Sequence, residues 1–348
     1  MFFKSPARKN RDKPGPTSTR APTNASESRP GRSQPVVYIA GLGRSGSTLL
    51  ERLLVEGSTD WWSVGELVHL WDRGVRDNEL CGCGEPFHDC SIWTAVGQRA
   101  FGGWNAIDVD EVISLQSRVA RDRFIPYLLA PSLNKAFRAR TLHYVGLVRK
   151  VYQAVRDVTG ATFVVDSSKH VSAALSLRLD PEMDLKLIHL VRDSRAVAYS
   201  WSKTVPRPAT GGETMMTKWS PLEVSIRYVA YNTLLTGAFR TRRKEVRYED
   251  YVEFPATNLE AIRRWVNGSG SASLSYLTDQ VADLSTSHGI SGNPVRFKAG
   301  PVPLKLDNAW RDRMSSADCY LVTALTLPSL LQFGYQISPR KPSRRGGS

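Results

Sequence analysis

Cysteine is scarce in this chain, with four among 348 residues. That excludes a fold stapled by a disulfide framework. No apolar run approaches the roughly 20 residues that a membrane-spanning helix needs. The opening Met1-Phe2-Phe3-Lys4-Ser5-Pro6 offers no apolar core for a signal peptide. The expectation is a soluble, cytoplasmic protein. Acidic residues are outnumbered, 33 Asp and Glu against 47 Lys and Arg, for a net charge of +14. Part of that excess sits at the ends. Residues 1–34 carry Lys4, Arg8, Lys9, Arg11, Lys13, Arg20, Arg29 and Arg32 among Pro, Ser and Thr, and residues 338–348 carry Arg340, Lys341, Arg344 and Arg345. Both read as disordered basic tails, solvated or in peripheral contact with membrane lipid. Much of the positive charge lies in these tails or at anion sites argued below, so a nucleic-acid-binding face is not expected. With 41% hydrophobic residues the chain can bury a full core, expected as one domain over 35–337.

Three of the cysteines fall in an insert at 76–106. Cys81, Cys83 and Cys90 stand with His88 inside ten residues. A small zinc site, a Cys81–Cys90 disulfide and reduced thiols capping a loop are all compatible with this pattern. The spacing is not that of a common zinc knuckle, and a reducing compartment favours free thiols. No metal is assigned. Cys319 lies in an apolar helical pattern and reads as core.

The strongest signal is Val36-Val37-Tyr38-Ile39-Ala40-Gly41-Leu42-Gly43-Arg44-Ser45-Gly46-Ser47-Thr48. It reads as a buried strand, a tight loop and a helix start. Such a loop turns backbone N–H groups toward one point at a helix N-terminus and makes an anion site. Gly41 and Gly46 have the Walker A spacing, but Ser47-Thr48 stand where Lys-Ser/Thr belongs, and Arg44 lies inside the loop. Without that lysine, a nucleotide whose phosphate is a handle is a better fit than one whose phosphate is transferred.

Downstream, strands at 163–169 and 185–193 alternate with helices. Residues 61–67 read as a turn. Residues 108–159 read as helices broken at Pro126 and Pro131, 204–220 as a loop shaping a pocket, 221–243 as a helix and 245–250 as a strand. Helix 255–267, an irregular stretch 284–308 and a helix over 314–332 follow. Alternating strands and helices predict an α/β, P-loop-like three-layer fold, a mostly parallel sheet with helices on both faces. Arg44, Lys169 and Arg192 then fall at strand ends, where such sheets bind ligands. Arg192 and Ser200 lie eight residues apart, a strand end and two helical turns later, and can reach one phosphate. Two anion sites in one crevice fit a nucleotide phosphorylated at both its 5′ and 3′ positions.

The loop at 41–48 and the Arg192…Ser200 segment together resemble the two nucleotide motifs of sulfotransferases that use 3′-phosphoadenosine 5′-phosphosulfate (PAPS). The likeness is nearest to bacterial members and to the carbohydrate and tyrosylprotein branches. It implies PAPS as co-substrate without a metal, and a small-molecule or glycolipid acceptor. Gly43, Arg44, Ser45, Gly46, Ser47 and Thr48 would hold the 5′ end, Arg192 and Ser200 the 3′-phosphate, and Tyr248 the adenosine side. Ser291, Gly292 and Asn293 would supply loop contacts and Arg296 neutralise phosphate, by similarity to a late closing segment. Arg44 and Lys169 would stabilise the leaving phosphate. Glu66 matches the position of a base in the carboxylate branches, with His170 as its rival; His69 is expected to face away. A P-loop kinase using Asp166 or Asp193 for magnesium, and a non-enzymatic basic binding protein, are the competing readings.

Overall fold

Val36 to Ala40 are inaccessible to solvent, and alternate residues feed two different cores. Val36, Tyr38 and Ala40 pack on one side and Val37 and Ile39 on the other. This is the signature of a parallel strand covered on both faces. In the computed structural model that strand, β1 (Pro35–Ala40), is the centre of a five-stranded sheet. The described residues are Met1, 35–206, 215, 217–268 and 273–338. The expectations for the two tails therefore lie, but for Met1 and Ser338, outside the described residues, as do 207–214 and 216 of the loop at 204–220.

The sheet order is β2 (Trp61–Gly65), β3 (Phe163–Lys169), β1, β4 (Asp184–Val191), β5 (Arg243–Arg247), with every pairing parallel. One face is covered by α2 (Ser91–Phe101), α3 (Val109–Val119), α4 (Ile125–Leu129), α5 (Lys135–Thr159) and α6 (Val171–Leu177). The other is covered by α1 (Ser47–Val55), α9 (Tyr248–Glu253) and α10 (Pro255–Asn267). A third cluster joins α7 (Ser194–Ser202), α8 (Pro221–Ala238) and α12 (Ser316–Gln332), with α11 (Trp310–Arg313) beside it. The expected α/β layering is what the chain adopts.

Several local expectations are corrected. Residues 61–65 form strand β2 instead of a turn, because Trp61 and Val64 serve opposite cores while the backbone pairs with β3. The strand expected at 245–250 ends at Arg247, and Tyr248 opens α9. Pro126 does not break a helix; it occupies the first turn of α4, where its missing N–H costs nothing. The stretch 284–308 is not wholly irregular: it holds β8 (Gly300–Pro303), which completes a small antiparallel sheet with the preceding β6 (Leu277–Thr278) and β7 (Val281–Leu284). Among the described residues no helix is long and apolar enough to cross a membrane.

The sheet order has one direct consequence for function. β3 and β4 flank β1, so the segments leaving their carboxyl ends emerge on either side of the 41–48 loop. Lys169 ends β3 on one side, and Arg192 follows β4 on the other.

Candidate active site

A crevice of about 630 Å³ opens at the carboxyl ends of these strands. Its floor is the loop. Gly46 caps α1 with φ 90°, and a Cβ there would come within 2.5 Å of both Tyr248 and Tyr251, so only glycine lets these rings pack on the turn. Tyr251 donates its hydroxyl hydrogen bond to the Gly46 carbonyl at 2.8 Å. No side chain caps α1, whose first buried hydroxyls, Ser47 and Thr48, line the crevice. The Ser45 hydroxyl instead donates to the Leu42 carbonyl at 2.7 Å, so its side chain is spent inside the loop. Arg44 sits at φ 72° with its guanidinium 5.5 Å from the Trp201 ring centroid. Burial lowers its pKa, and Glu66 opposes that shift.

Glu66 follows β2 and lies buried in the crevice wall. Its Oε1 meets the ammonium of Lys169, and its Oε2 is 3.9 Å from Nε2 of His69. Burial alone would push this carboxyl up, but the charges of Lys169, His69 and Arg73 outweigh it and hold the group below the usual carboxylate range. Glu66 is therefore an anion at neutral pH. His170 also lines the crevice, but burial first, then His69, pulls its pKa down to about 4. His69 is a correction: it faces the crevice, with its Nδ1 3.4 Å from Asp72, and meets the His170 ring edge-on.

On the far side of β1, Arg192 is held in place by its surroundings. Its Nη1 donates to the Arg44 carbonyl at 3.0 Å and its Nη2 to the Asp307 carbonyl at 2.9 Å. Its guanidinium stands 4.3 Å from the Tyr248 ring centroid, and the Asp307 carboxylate is 3.3 Å away. Its Nε is a buried donor with no acceptor from the protein. Ser200, on α7, lines the same crevice, beside Trp201, whose ring stacks on Trp219 at 3.7 Å. Asp193 starts α7 by accepting from the Arg195 N–H at 2.9 Å, which fixes the turn that carries Arg192.

The roof comes from residues 288–297. Ile290 pairs in parallel with Gly65 beside β2: its N–H donates to the Val64 carbonyl at 2.9 Å and its carbonyl accepts from Glu66 at 2.7 Å. This delivers Ser291, Gly292 and Asn293 to the crevice, where the Asn293 N–H reaches Thr48 Oγ1 at 3.3 Å. Ser291 accepts from Arg73. Arg296 borders the crevice, but its guanidinium is committed to the carbonyls of Gly289 at 2.7 Å and Leu80 at 2.8 Å. Arg52, reaching from α1, holds the Val295 carbonyl at 2.8 Å. Both arginines act as clamps on the roof.

Arg73, Glu79, Tyr231 and Asp307 line the crevice and were not singled out from sequence. Arg73 lies in Leu70–Arg76, a helical stretch wound wider than an α-helix, a type of distortion that recurs at functional sites. Its only sequence signal is its place a few residues after Glu66. In the cysteine insert, His88 turns away: its Nε2 lies 2.9 Å from the Val75 carbonyl.

A family model described as "Sulfotransferase family" matches residues 35–268, more than half of the chain. Among solved structures, the sulfotransferase domain from the curacin biosynthetic pathway aligns with TM-score 0.51 and 18% identity, covering 88% of this chain and all 100% of that one. The sulfotransferase domain of the Synechococcus PCC 7002 olefin synthase aligns with TM-score 0.44 and 20% identity over 89% of this chain and 98% of that one. No curated protein matches the chain in sequence. The first of these structural likenesses is one of fold.

Proposed function

We propose that this chain, which belongs to the sulfotransferase family, transfers the sulfuryl group of PAPS to a hydroxyl of a carbohydrate, glycolipid or other small-molecule acceptor. The observation that carries the reading is a crevice with two cation sets flanking one phosphate loop. Arg44 and Lys169 stand with the start of α1, while Arg192 stands with Ser200 and Tyr248 across β1. A nucleotide with a 5′ phosphosulfate and a 3′ phosphate needs two such sets at once.

In this reading Gly43 to Thr48 hold the 5′ end through loop N–H groups and the Ser47 and Thr48 hydroxyls. The unpartnered Arg192 Nε and the Ser200 hydroxyl take the 3′-phosphate, and Tyr248 bears on the adenosine side. Glu66 accepts the acceptor hydroxyl's proton. The acceptor oxygen then forms its bond to sulfur as the bond from sulfur to the bridging phosphate oxygen breaks. Negative charge grows on that leaving oxygen, where Lys169 and Arg44 neutralise it, so catalysis is mostly positioning and electrostatics. Lys169 thus serves two partners, the base and the leaving group. Arg296 acts through the roof, holding Ser291 to Asn293 over the nucleotide. His170, being neutral and desolvated, is the weaker candidate for the base.

The kinase alternative loses support from its own carboxylates. Asp166 accepts from Tyr152 at 2.5 Å and from the Ser168 N–H at 2.8 Å, and Asp193 is paired with Arg195 at 2.7 Å. Neither lines the crevice.

The test is calorimetric titration with 3′-phosphoadenosine 5′-phosphate (PAP) beside ATP–Mg²⁺, with Arg44→Ala and Arg192→Ala as controls. Micromolar PAP binding that far exceeds ATP binding and weakens in both variants supports the reading. Preference for ATP–Mg²⁺, or PAP binding indifferent to both substitutions, overturns it.

A further inference from the structure

The cysteine insert and the roof of the crevice meet at one point. Cys81, Cys83 and Cys90 from the insert converge with His288, and one ligand atom from each lies within 4.8 Å of all the others. Cys90 Sγ is 3.3 Å from His288 Nδ1, although 198 residues separate the two. Zinc held by three thiolates and one imidazole needs Zn–S of about 2.3 Å and Zn–N of about 2.0–2.1 Å, which sets ligand–ligand edges of roughly 3.5–3.8 Å. A contraction of about 1 Å in the longest edge closes that tetrahedron. All four cysteines are free thiols, so nothing covalent competes for the sulfurs.

The surroundings are those of a built site. The turn Cys81-Gly82-Cys83-Gly84 is closed by the Gly84 N–H on the Cys81 carbonyl at 2.9 Å and the Cys81 N–H on the Glu85 carbonyl at 2.8 Å. Such a turn relieves the crowding that a C-x-C pair would otherwise suffer. The Gly82 N–H reaches the Gly289 carbonyl at 3.2 Å, which joins the turn to the roof. The His288 ring is stacked on Trp62, and the His288 backbone carbonyl accepts from Trp93 Nε1 at 2.7 Å, so ring and backbone are both held from outside the cluster.

We propose that Cys81, Cys83, Cys90 and His288 bind one structural zinc ion, which staples the insert to the segment carrying Ser291, Gly292 and Asn293. Four protein ligands leave no open position, so the ion takes no part in sulfuryl transfer. Its role is to hold the roof. His88, the histidine nearest in sequence, is not a ligand.

The test is made on the full chain, produced without a metal-binding tag in zinc-supplemented medium. Elemental analysis is expected to give one zinc per chain. Replacing it with Co²⁺ is expected to give the intense visible bands and thiolate charge-transfer absorption of a tetrahedral site. His88→Ala should keep both signals, while Cys90→Ser and His288→Ala should lose the ion or alter the bands. Stripping the metal with a chelator should also weaken PAP binding, and restoring zinc should recover it. The proposal is overturned by a wild-type chain that purifies without zinc, shows no cobalt bands and has all four thiols titratable. An intact mass two hydrogens short, from a Cys–Cys disulfide in the insert, overturns it too. Because metal content and cobalt spectra are read on the wild type, poor folding of a variant does not blur the outcome.

Discussion

Lys169 and Glu66, 103 residues apart in the chain, form an ion pair in the wall of the crevice. Each ends or follows a neighbouring parallel strand, so the pairing of β2 with β3 sets the contact. The pair explains how a carboxylate buried in the crevice wall survives as an anion.

Glu66→Gln tests the base. The amide keeps the shape and loses the proton acceptor. Turnover is expected to fall by about 10²–10⁴-fold, the usual worth of a positioned base. PAP affinity is expected to change little. Loss of turnover should appear in single-turnover rates with saturating PAPS; full turnover would move the base to another residue.

The pH profile follows from the same pair. With Glu66 as the base, activity is expected to need it ionised and to be lost as pH falls through its folded pKa. In the wild type that pKa lies below the ordinary value near 4.3, so the acid limb should lie below it too. Lys169→Met removes the largest lowering charge and leaves burial, which raises a carboxyl's pKa. The limb should shift to higher pH. A limb that stays put in Lys169→Met would show that another group governs it.

Gly292→Ala tests the roof. Gly292 has φ 107°, and a Cβ there would lie 3.2 Å from Thr48 Oγ1 and 3.3 Å from Glu66 Oε1. The backbone strain alone is worth about 1–3 kcal/mol. The variant is expected to melt earlier and to bind PAP more weakly, because the strain is relieved by lifting the segment off Thr48. Calorimetry and thermal unfolding read the two effects. An unchanged PAP affinity would detach this segment from the nucleotide.

Glu51, on α1, supplies a stability test. It is fully buried with one oxygen unpartnered, and burial raises its pKa to about 8. The unfolded chain releases this proton near pH 4.5 while the folded chain retains it. Stability should therefore fall as pH rises from about 5 to 8, by at most about 1.4 kcal/mol per unit from this group. Glu51→Gln should remove that slope and be relatively more stable at pH 8 than at pH 5. Parallel denaturation curves for both proteins at all pH values would contradict it.

The loop and its flanking strands were legible because their signals are local. Strand β1 is apolar at every position, Gly41 and Gly46 punctuate the turn, and Lys169 and Arg192 follow the short apolar runs Phe163-Val164-Val165 and Leu190-Val191. Strand β2 was not legible. Trp61-Trp62-Ser63-Val64-Gly65 is short, lacks alternation and ends in glycine, and only pairing with β3 makes it a strand. Strands β7 and β8 were hidden for the same reason, as β8 contains two prolines in Gly-Pro-Val-Pro. His69 was misread because an α-helical period was assumed where Leu67–His69 form a 3₁₀ turn, which winds tighter. The role of Arg296 as a clamp, and the meeting of His288 with the cysteines, depend on contacts across 200 residues or more of fold, or nearly so, and no local pattern encodes them.

The bridge between Ile290 and Gly65 has a consequence beyond the ligand. β2 is the outermost strand on its side of the sheet, and the outer rim of such a strand invites pairing with another chain. Here the roof segment occupies part of that rim with its own hydrogen bonds. The same residues that would cover a nucleotide also keep the edge of the sheet from strangers. Changes that free the roof should therefore lower solubility along with affinity, and a bound nucleotide should act as a guard against self-association.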